Sequence, residues 1–450
     1  MDSKQGASSL RYFSNSKRYS SLGPLYTGQT AVIIGGGPSG VGCAIALKNL
    51  SQLLNQNISV ILYEGKQFQE ARHYNQCVGV LSPPIDDILE RQLKVPFPWH
   101  LVHRKIKGYV MHSDTQKILL TGNDEPSYSV RRVTFDDYML QQARKRGVKV
   151  VQGRVTDLEF TPHRIIIYSD SENINADVVV GAFGLDDGGC KLFERATNYK
   201  LPHFLDSIVT NIKPSEEFLM GFGNYIHAFL PSFRRIEFGA VTPKVDHLTV
   251  NIAGAHVTAA DMDKFLNSPP VRETLPPEFT PETAELTYFK GRFPISVARG
   301  LFGDRYVVVG DAAGMVRPFK GKGVNSGCLT GIRAAETIMK VGISQKAFKT
   351  YYRSCSDVTD DLIYGKALRW LTIKSANYKF IDSIINLARR DNVVRTALFN
   401  CISAHKSFKQ IYQETINLTT IGKGIGAIMM FLIRGNRFQM HGHDVTVPLE

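Results

Sequence analysis

The chain has 450 residues, 43% hydrophobic and 21% charged, a length that exceeds one ordinary core and a balance that excludes a disordered or fibrous protein. Its formal net charge is +13, and from Met315 onward 20 Lys and Arg stand against 9 Asp and Glu. That excess reads as a solvated helical surface or as a face for an anionic membrane, substrate or partner; nucleic acid is set aside because no recognition motif accompanies the charge.

The six cysteines, Cys43, Cys77, Cys190, Cys328, Cys355 and Cys401, are irregularly spaced. They give neither a disulfide framework nor paired metal ligands, so a reducing, cytoplasmic setting and no metal site are expected. No run of 18 apolar residues occurs, and the longest candidate, residues 425–433, is too short to span a bilayer.

The first 28 residues are rich in Ser and basic residues, with Asp2 the lone acid. They read as a flexible extension, with a targeting segment as the alternative. Residues 30–34 form an apolar run of strand length that leads straight into glycines. A helical stretch, 41–54, and a second strand, 58–63, follow, which predicts a strand–helix–strand unit with parallel pairing. Residues 101–120 and 208–255 read as alternating strands broken by Gly, Pro and Asp. Between them lie a helix at 136–146 and strands at 148–152 and 177–181, and the β pattern returns at 306–309. Beyond Gly323 nearly everything is helical in composition, and Trp370, Tyr378, Phe380 and Phe408 read as a helical cover with interleaved basic and apolar residues.

Gly35-Gly36-Gly37-Pro38-Ser39-Gly40 fits G-x-G-x-x-G between a strand and a helix. Gly35 permits the tight turn, Gly37 lets backbone approach a pyrophosphate, and Gly40 lets helix and strand pack closely. The helix N-terminus, with Ser39 in its first turn, is aimed at the phosphates. Glu64 ends the second strand, where its carboxylate would accept hydrogen bonds from a ribose hydroxyl. A 2′-phosphate would face that negative charge, which leaves NAD or FAD as the dinucleotide.

Gly310-Asp311-Ala312-Ala313-Gly314 follows the strand at 306–309, and Pro318, Gly321, Gly323, Val324 and Asn325 lead into a helix. This pattern resembles the p-hydroxybenzoate hydroxylase superfamily of FAD-dependent oxidoreductases. The resemblance implies FAD as cofactor, with Asp311 on its ribityl chain and Gly310, Gly321, Gly323, Val324 and Asn325 around the flavin ring. Lys320 and Lys322 would add positive field in the same loop. The stretch Ser129-Val130-Arg131-Arg132 is similar to the segment in which an arginine reaches the FAD phosphates, which implies Arg131, or Arg132 in its place. Phe183 stands where the family's A-D-x-V-V-G-A-D-G segment carries aspartate, which argues against ordinary NADPH-dependent hydroxylation.

Within the superfamily the chain looks most like geranylgeranyl reductases, through Asn75-Gln76-Cys77-Val78-Gly79 and a partial echo of their aromatic substrate signature at Tyr225, His227, Phe229 and Pro231. The halogenase signature G-W-x-W-x-I-P is missing. The fold implied is α/β: a Rossmann-like, glutathione reductase-type FAD domain in three layers (29–100, 128–200 and 300–340), an inserted antiparallel substrate domain (101–127 and 201–299) and a helical C-terminal region (341–450). The function implied is reduction or dehydrogenation of carbon–carbon double bonds in an apolar, isoprenoid- or lipid-like substrate, with Cys77 and His227 as candidate catalytic residues. A flavin monooxygenase and a non-catalytic flavoprotein partner are the alternatives. No second dinucleotide fingerprint occurs, so electrons are expected from transiently bound NAD(P)H or from a redox protein.

Overall fold

The computed structural model describes residues 22–66, 77–122, 125–317, 323–403 and 405–415. The N-terminal segment to residue 21, Asn75, Gln76, Pro318, Lys320, Gly321, Lys322 and the apolar run 425–433 lie outside the described residues.

Short β-branched runs with no polar alternation belong in sheets covered on both faces. Thr30–Ile34, Ser59–Glu64 and Val178–Gly181 are of this kind, and they lie side by side in a six-stranded sheet. Its order is Phe302–Gly303, Tyr306–Val308, Val178–Gly181, Thr30–Ile34, Ser59–Glu64, Lys149–Gln152. Every pairing is parallel except the hairpin at its edge, 302–303 with 306–308. A meander, Val155–Phe160, Ile165–Ser169 and Ile174–Ala176, sends Leu158, Ile165 and Ile167 into the same core. The helices Pro38–Leu53, Arg132–Lys145 and Gly323–Lys340 complete it. Sequence periodicity places the first of these at residue 41; the proline at N1, pre-set for helical φ, starts it three residues earlier.

The decisive packing event is the crossing of Pro38–Leu53 with Gly323–Lys340. A Cβ on Gly331 would lie 2.3 Å from the Ser39 carbonyl oxygen and 2.8 Å from the Cys43 nitrogen, and one on Gly42 would lie 3.1 Å from Cys328 Cα. The two helices therefore touch backbone to backbone at two points, each made by a glycine of one helix against the main chain of the other. Ser39 also backs onto Gly310, whose added Cβ would meet the Ser39 hydroxyl at 2.6 Å. The glycine turn near the N-terminus and the Gly310–Ala313 turn, 270 residues later, are thereby locked into one surface.

The second large sheet has seven strands in the order Phe289–Pro294, Phe204–Ile212, Leu248–Gly254, Phe238–Pro243, Tyr225–Phe229, Gly108–His112, Lys117–Thr121. It is mixed, not wholly antiparallel as the sequence suggests: Tyr225–Phe229 pairs parallel with Gly108–His112. These strands belong to two excursions from the first sheet, and the long chain between them supplies the crossover that a parallel pair requires. The strand Val102–Ile106, expected in the same sheet, instead joins Ser127–Val130 and Val80–Leu81 in a small three-stranded sheet between the two large ones.

Helices Ile381–Arg390 and Asn392–Ser403 cover one face of the seven-stranded sheet through Ile381, Ile385, Phe399 and Ile402. The other face buries Phe229, Val241 and Val250 under the helix Ala259–Leu266. Gly331→Ala is expected to destabilise the chain by about 1–3 kcal/mol, because the added methyl overlaps backbone that cannot move aside. Urea unfolding measures this, and wild-type stability of that variant would contradict the crossing.

Candidate functional site

The turn after the first strand is built for close approach. Gly35 has φ +109°, and a Cβ there would lie 2.4 Å from the Ala182 carbonyl oxygen. Gly40 is equally tight, its added Cβ 1.9 Å from the Gly35 oxygen, whereas Gly37 faces open space. The helix beginning at Pro38 has no side-chain cap at Gly37. Its first N–H groups, beside the open backbone of Gly37, could therefore meet an anion such as a phosphate.

Glu64 stands across this turn. Its carboxylate accepts from the Gly36 N–H at 2.8 Å through Oε2 and from the Lys66 N–H at 2.8 Å through Oε1. Next to it opens a cavity of about 430 Å³ lined by Gly65, Gln152, Gly153, Arg154 and Asp170. The open helix N-terminus, the carboxylate and the cavity thus lie near one another, and could take a phosphate, a ribose and a base. Phe183 is buried against Phe193 and Tyr199 behind the turn.

On the other side of the crossing lies Asp311, close to Gly323; a Cβ on that glycine would be 3.6 Å from Asp311 Oδ1. Burial pushes the Asp311 carboxyl up to about 6, and Arg132 pulls it back down. Val324 and Asn325 are buried in the first turn of Gly323–Lys340, and the Asn325 amide donates to the Ser82 carbonyl at 3.0 Å. That bond ties the helix to the segment that carries Cys77 and Gly79.

Of the two arginines in the 129–132 stretch, Arg132 turns inward. It forms a fork with Asp136 at 3.0–3.2 Å, and its Nη1 is 3.9 Å from Cys77 Sγ. Burial pulls its pKa down, but Asp136, Cys77 and Asp311 more than offset this and hold it above the usual value. Arg131 is exposed at the N-cap of the same helix and acts electrostatically on His103 and His247.

Cys77 is the exposed member of the six free cysteines; the others are buried. Beside it is a residue that the sequence reading passes over. Lys244 is 3% exposed, and its ammonium donates to the Gly79 carbonyl at 3.2 Å and the Val130 carbonyl at 3.0 Å. Burial lowers its pKa to about 7, against the opposing pull of Cys77. The available signal was register: Lys244 continues the alternation Ala240, Thr242 off the end of the strand Phe238–Pro243, an inward position for a charge.

His227 is elsewhere. Alternation along Tyr225–Phe229 sends His227 and Phe229 to one face and Ile226 and Ala228 to the other. His227 stacks on His112, with His112 Nε2 and His227 Nδ1 sharing a hydrogen bond at 3.0 Å, and packs beside Phe222. Burial, with help from Lys117, lowers its pKa to about 4. The structure therefore brings Cys77, Arg132, Lys244, Asn325 and Asp311 together and leaves His227 in an aromatic layer on the opposite face of the sheet. Gly321 falls outside the described residues.

Comparison with known proteins bears on this arrangement. The digeranylgeranylglycerophospholipid reductase of Methanococcus vannielii is 26% identical over 292 residues, covering 61% of this chain and 68% of the relative. A geranylgeranyl bacteriochlorophyll reductase-like crystal structure from Thermoplasma acidophilum superposes with a TM-score of 0.65 at 16% identity, covering 90% of this chain and 99% of that one. The chain is thus similar in sequence to proteins named as digeranylgeranylglycerophospholipid reductases, and in fold to a geranylgeranyl reductase-like structure. A flavin-dependent brominase shares the fold more loosely, with a TM-score of 0.59 at 17% identity over 90% of this chain and 99% of its own. No protein-family model matches the chain. The likeness to geranylgeranyl-reductase-like proteins within the flavin-dependent oxidoreductases, expected from Gly310-Asp311-Ala312-Ala313 and the Cys77 segment, is thus borne out, and the mixed α/β fold is the one those enzymes share.

A lysine whose pKa falls on folding costs stability wherever the unfolded chain binds its proton and the folded chain does not. For Lys244 the penalty is absent above the unfolded pKa, near 10.5, grows as pH falls to about 7, and is constant below. Lys244→Met is therefore expected to gain stability relative to wild type between pH 10 and pH 7, by roughly 2–5 kcal/mol at 1.36 kcal/mol per pKa unit. Urea unfolding at both ends of that range measures the gain, and a difference that does not change with pH would contradict it.

Proposed function

We propose that this chain is an FAD-dependent reductase of carbon–carbon double bonds in an apolar, isoprenoid- or lipid-like substrate. The observation that carries the reading is the convergence of the open Gly37 cradle, Glu64 and Asp311 around one helix crossing, with an apolar wall next to the Cys77 segment. The residues fit a dinucleotide: Gly37 faces open space while Gly35 and Gly40 admit no side chain, and the helix N-terminus carries no cap of its own. Gly35, Gly37, Ser39 and Gly40 would hold the pyrophosphate, Glu64 the adenosine ribose and Asp311 the ribityl chain. Gly310, Gly321, Gly323, Val324 and Asn325 would frame the ring system, and Arg132, turned inward, takes the arginine role ahead of Arg131. The Rossmann-like assignment of the six-stranded sheet belongs to the same reading.

When bound, the flavin supplies two-electron reduction. The protein's share is to orient the substrate, keep water out and deliver a proton to the second carbon. The proposed wall for an apolar chain is the partly buried Ala228, Leu230 and Ala240 with Val80, at the margin of the face whose buried part, Ile226 included, packs under the helices Ile381–Arg390 and Asn392–Ser403. Burial of apolar surface against it gives affinity without a polar anchor, at about 25 cal/mol per Å². Cys77, 3.9 Å from Arg132, is the proposed proton donor, and Lys244 holds a proton up to about pH 7 within the same segment. The named activity of the Methanococcus relative, reduction of a digeranylgeranyl glycerophospholipid, supports this substrate class. The proposed electron donor is transiently bound NAD(P)H or a redox protein. No helix of the described residues is long and apolar enough to cross a membrane, and a cytoplasmic enzyme working at or near a membrane is the proposed setting.

The test is single turnover. The FAD-loaded protein, chemically reduced without oxygen and mixed with a geranylgeranyl-bearing lipid, is expected to yield a product heavier by two hydrogens for each bond reduced, read by mass spectrometry. An unchanged lipid without oxygen, together with an oxygenated product in air, would overturn the reductase reading in favour of the hydroxylase.

A further inference from the structure

The helix Asp361–Asn377 has two unlike sides. Leu362, Gly365, Ser375 and Ala376 are buried against the protein, and its single acid, Asp361, is also buried, 3.2 Å from Arg317. Arg369 is paired with Glu237. The outward side repeats at i, i+3, i+4, i+7, i+8 and i+11: Ile363, Lys366, Ala367, Trp370, Leu371, Lys374. These positions fall within about 140° of one helix face. Ile363 is 72% exposed, Trp370 61% and Leu371 53%, and Tyr378, at 63%, continues the stripe just past the helix end.

Single exposed hydrophobic residues need no explanation, but four in one stripe do. The stripe contains no carboxylate, and its two polar members are lysines whose stems can lie along apolar surface while their ammonium groups stay in water. Tryptophan and tyrosine beside lysine suit the headgroup layer of a bilayer, where an aromatic body meets hydrocarbon and a polar tip meets water. Two positive charges without a negative one on the same stripe fit an anionic surface better than a mixed-charge protein partner. The helix Asp361–Asn377 leads directly into Ile381–Arg390, whose Ile384 and Leu387 join the cluster that contains Ala228 and Ala240.

We propose that the outward face of Asp361–Asn377 docks on an anionic lipid surface, with Ile363, Trp370 and Leu371 in the headgroup–acyl boundary and Lys366 and Lys374 on the phosphates. This deepens the proposed function by bringing the apolar wall to its lipid, but the docking stands or falls on binding alone, without flavin turnover.

The full-length protein is sedimented with vesicles of phosphatidylcholine alone and of phosphatidylcholine with phosphatidylglycerol. Binding to the anionic vesicles only, weakened by added salt, is the expected result. In a Trp99→Phe background, which leaves Trp370 as the remaining tryptophan, emission is expected to shift to the blue on binding. Trp370→Glu with Leu371→Glu is expected to weaken binding at least ~10-fold, given two buried apolar side chains, while FAD content stays at the wild-type level. Equal binding to both vesicle types, no binding, or unchanged binding by the double variant would overturn the proposal. So would a dimer that the double variant converts to monomer, because a second copy would then be the occupant.

Discussion

The architecture depends on one contact: two helices that meet backbone to backbone. A side chain at Gly331 would push Pro38–Leu53 and Gly323–Lys340 apart, and the two turns that precede them would separate with them; Gly42 is a tight fit at the same crossing. Because the crossing is so close, Ser39 sits directly on Gly310, and the Gly35–Gly40 turn shares a surface with Asp311. Close packing leaves little slack to restore this if Gly331 is filled. The six-stranded parallel sheet holds the turns level with each other, since both the Thr30–Ile34 and Tyr306–Val308 strands end at the same edge.

The charges around the crossing are held by specific partners. Arg132 is enclosed by Asp136 and stays protonated despite burial. Lys244 is satisfied by two backbone carbonyls, Gly79 and Val130, and by no carboxylate among its hydrogen bonds. A buried ammonium with only neutral hydrogen-bond partners loses much of its preference for the charged form, which is why burial brings this lysine down to about 7 while Arg132, paired with Asp136, is held above its usual value. The same two bonds fasten the small three-stranded sheet to the seven-stranded one. Lys244 therefore joins the side that would bind the cofactor to the wall that would bind the substrate.

How much of this was legible depended on whether the physics was local. Gly35 to Gly40 with a strand before and a helix after, and Glu64 at the end of the next strand, announce their geometry within 35 residues, because turn, helix N-terminus and acid act on neighbours in sequence. Asp311 was legible through its turn and the resemblance that turn carries. His227 misled because its strand pattern is right but its face is not: one residue of alternation separates the aromatic layer from the wall beside Val80. Lys244 was missed for the opposite reason, since nothing near it in sequence shows that the Gly79 and Val130 carbonyls will close over it. The mixed character of the seven-stranded sheet was equally hidden, being set by the pairing of Gly108–His112 with Tyr225–Phe229 across more than a hundred residues.

The central claim is that one helix crossing holds both ends of a flavin dinucleotide, with Glu64 and its neighbouring cavity on the adenosine half and Asp311 on the flavin half. Titration of the flavin-free, full-length protein with FAD and, separately, with FMN tests this most directly, by fluorescence quenching or calorimetry. FAD is expected to bind at least ~10-fold more tightly than FMN, which lacks the ribose and base that Glu64 and the cavity would hold. Equal affinity for the two, or no uptake of either, would contradict it.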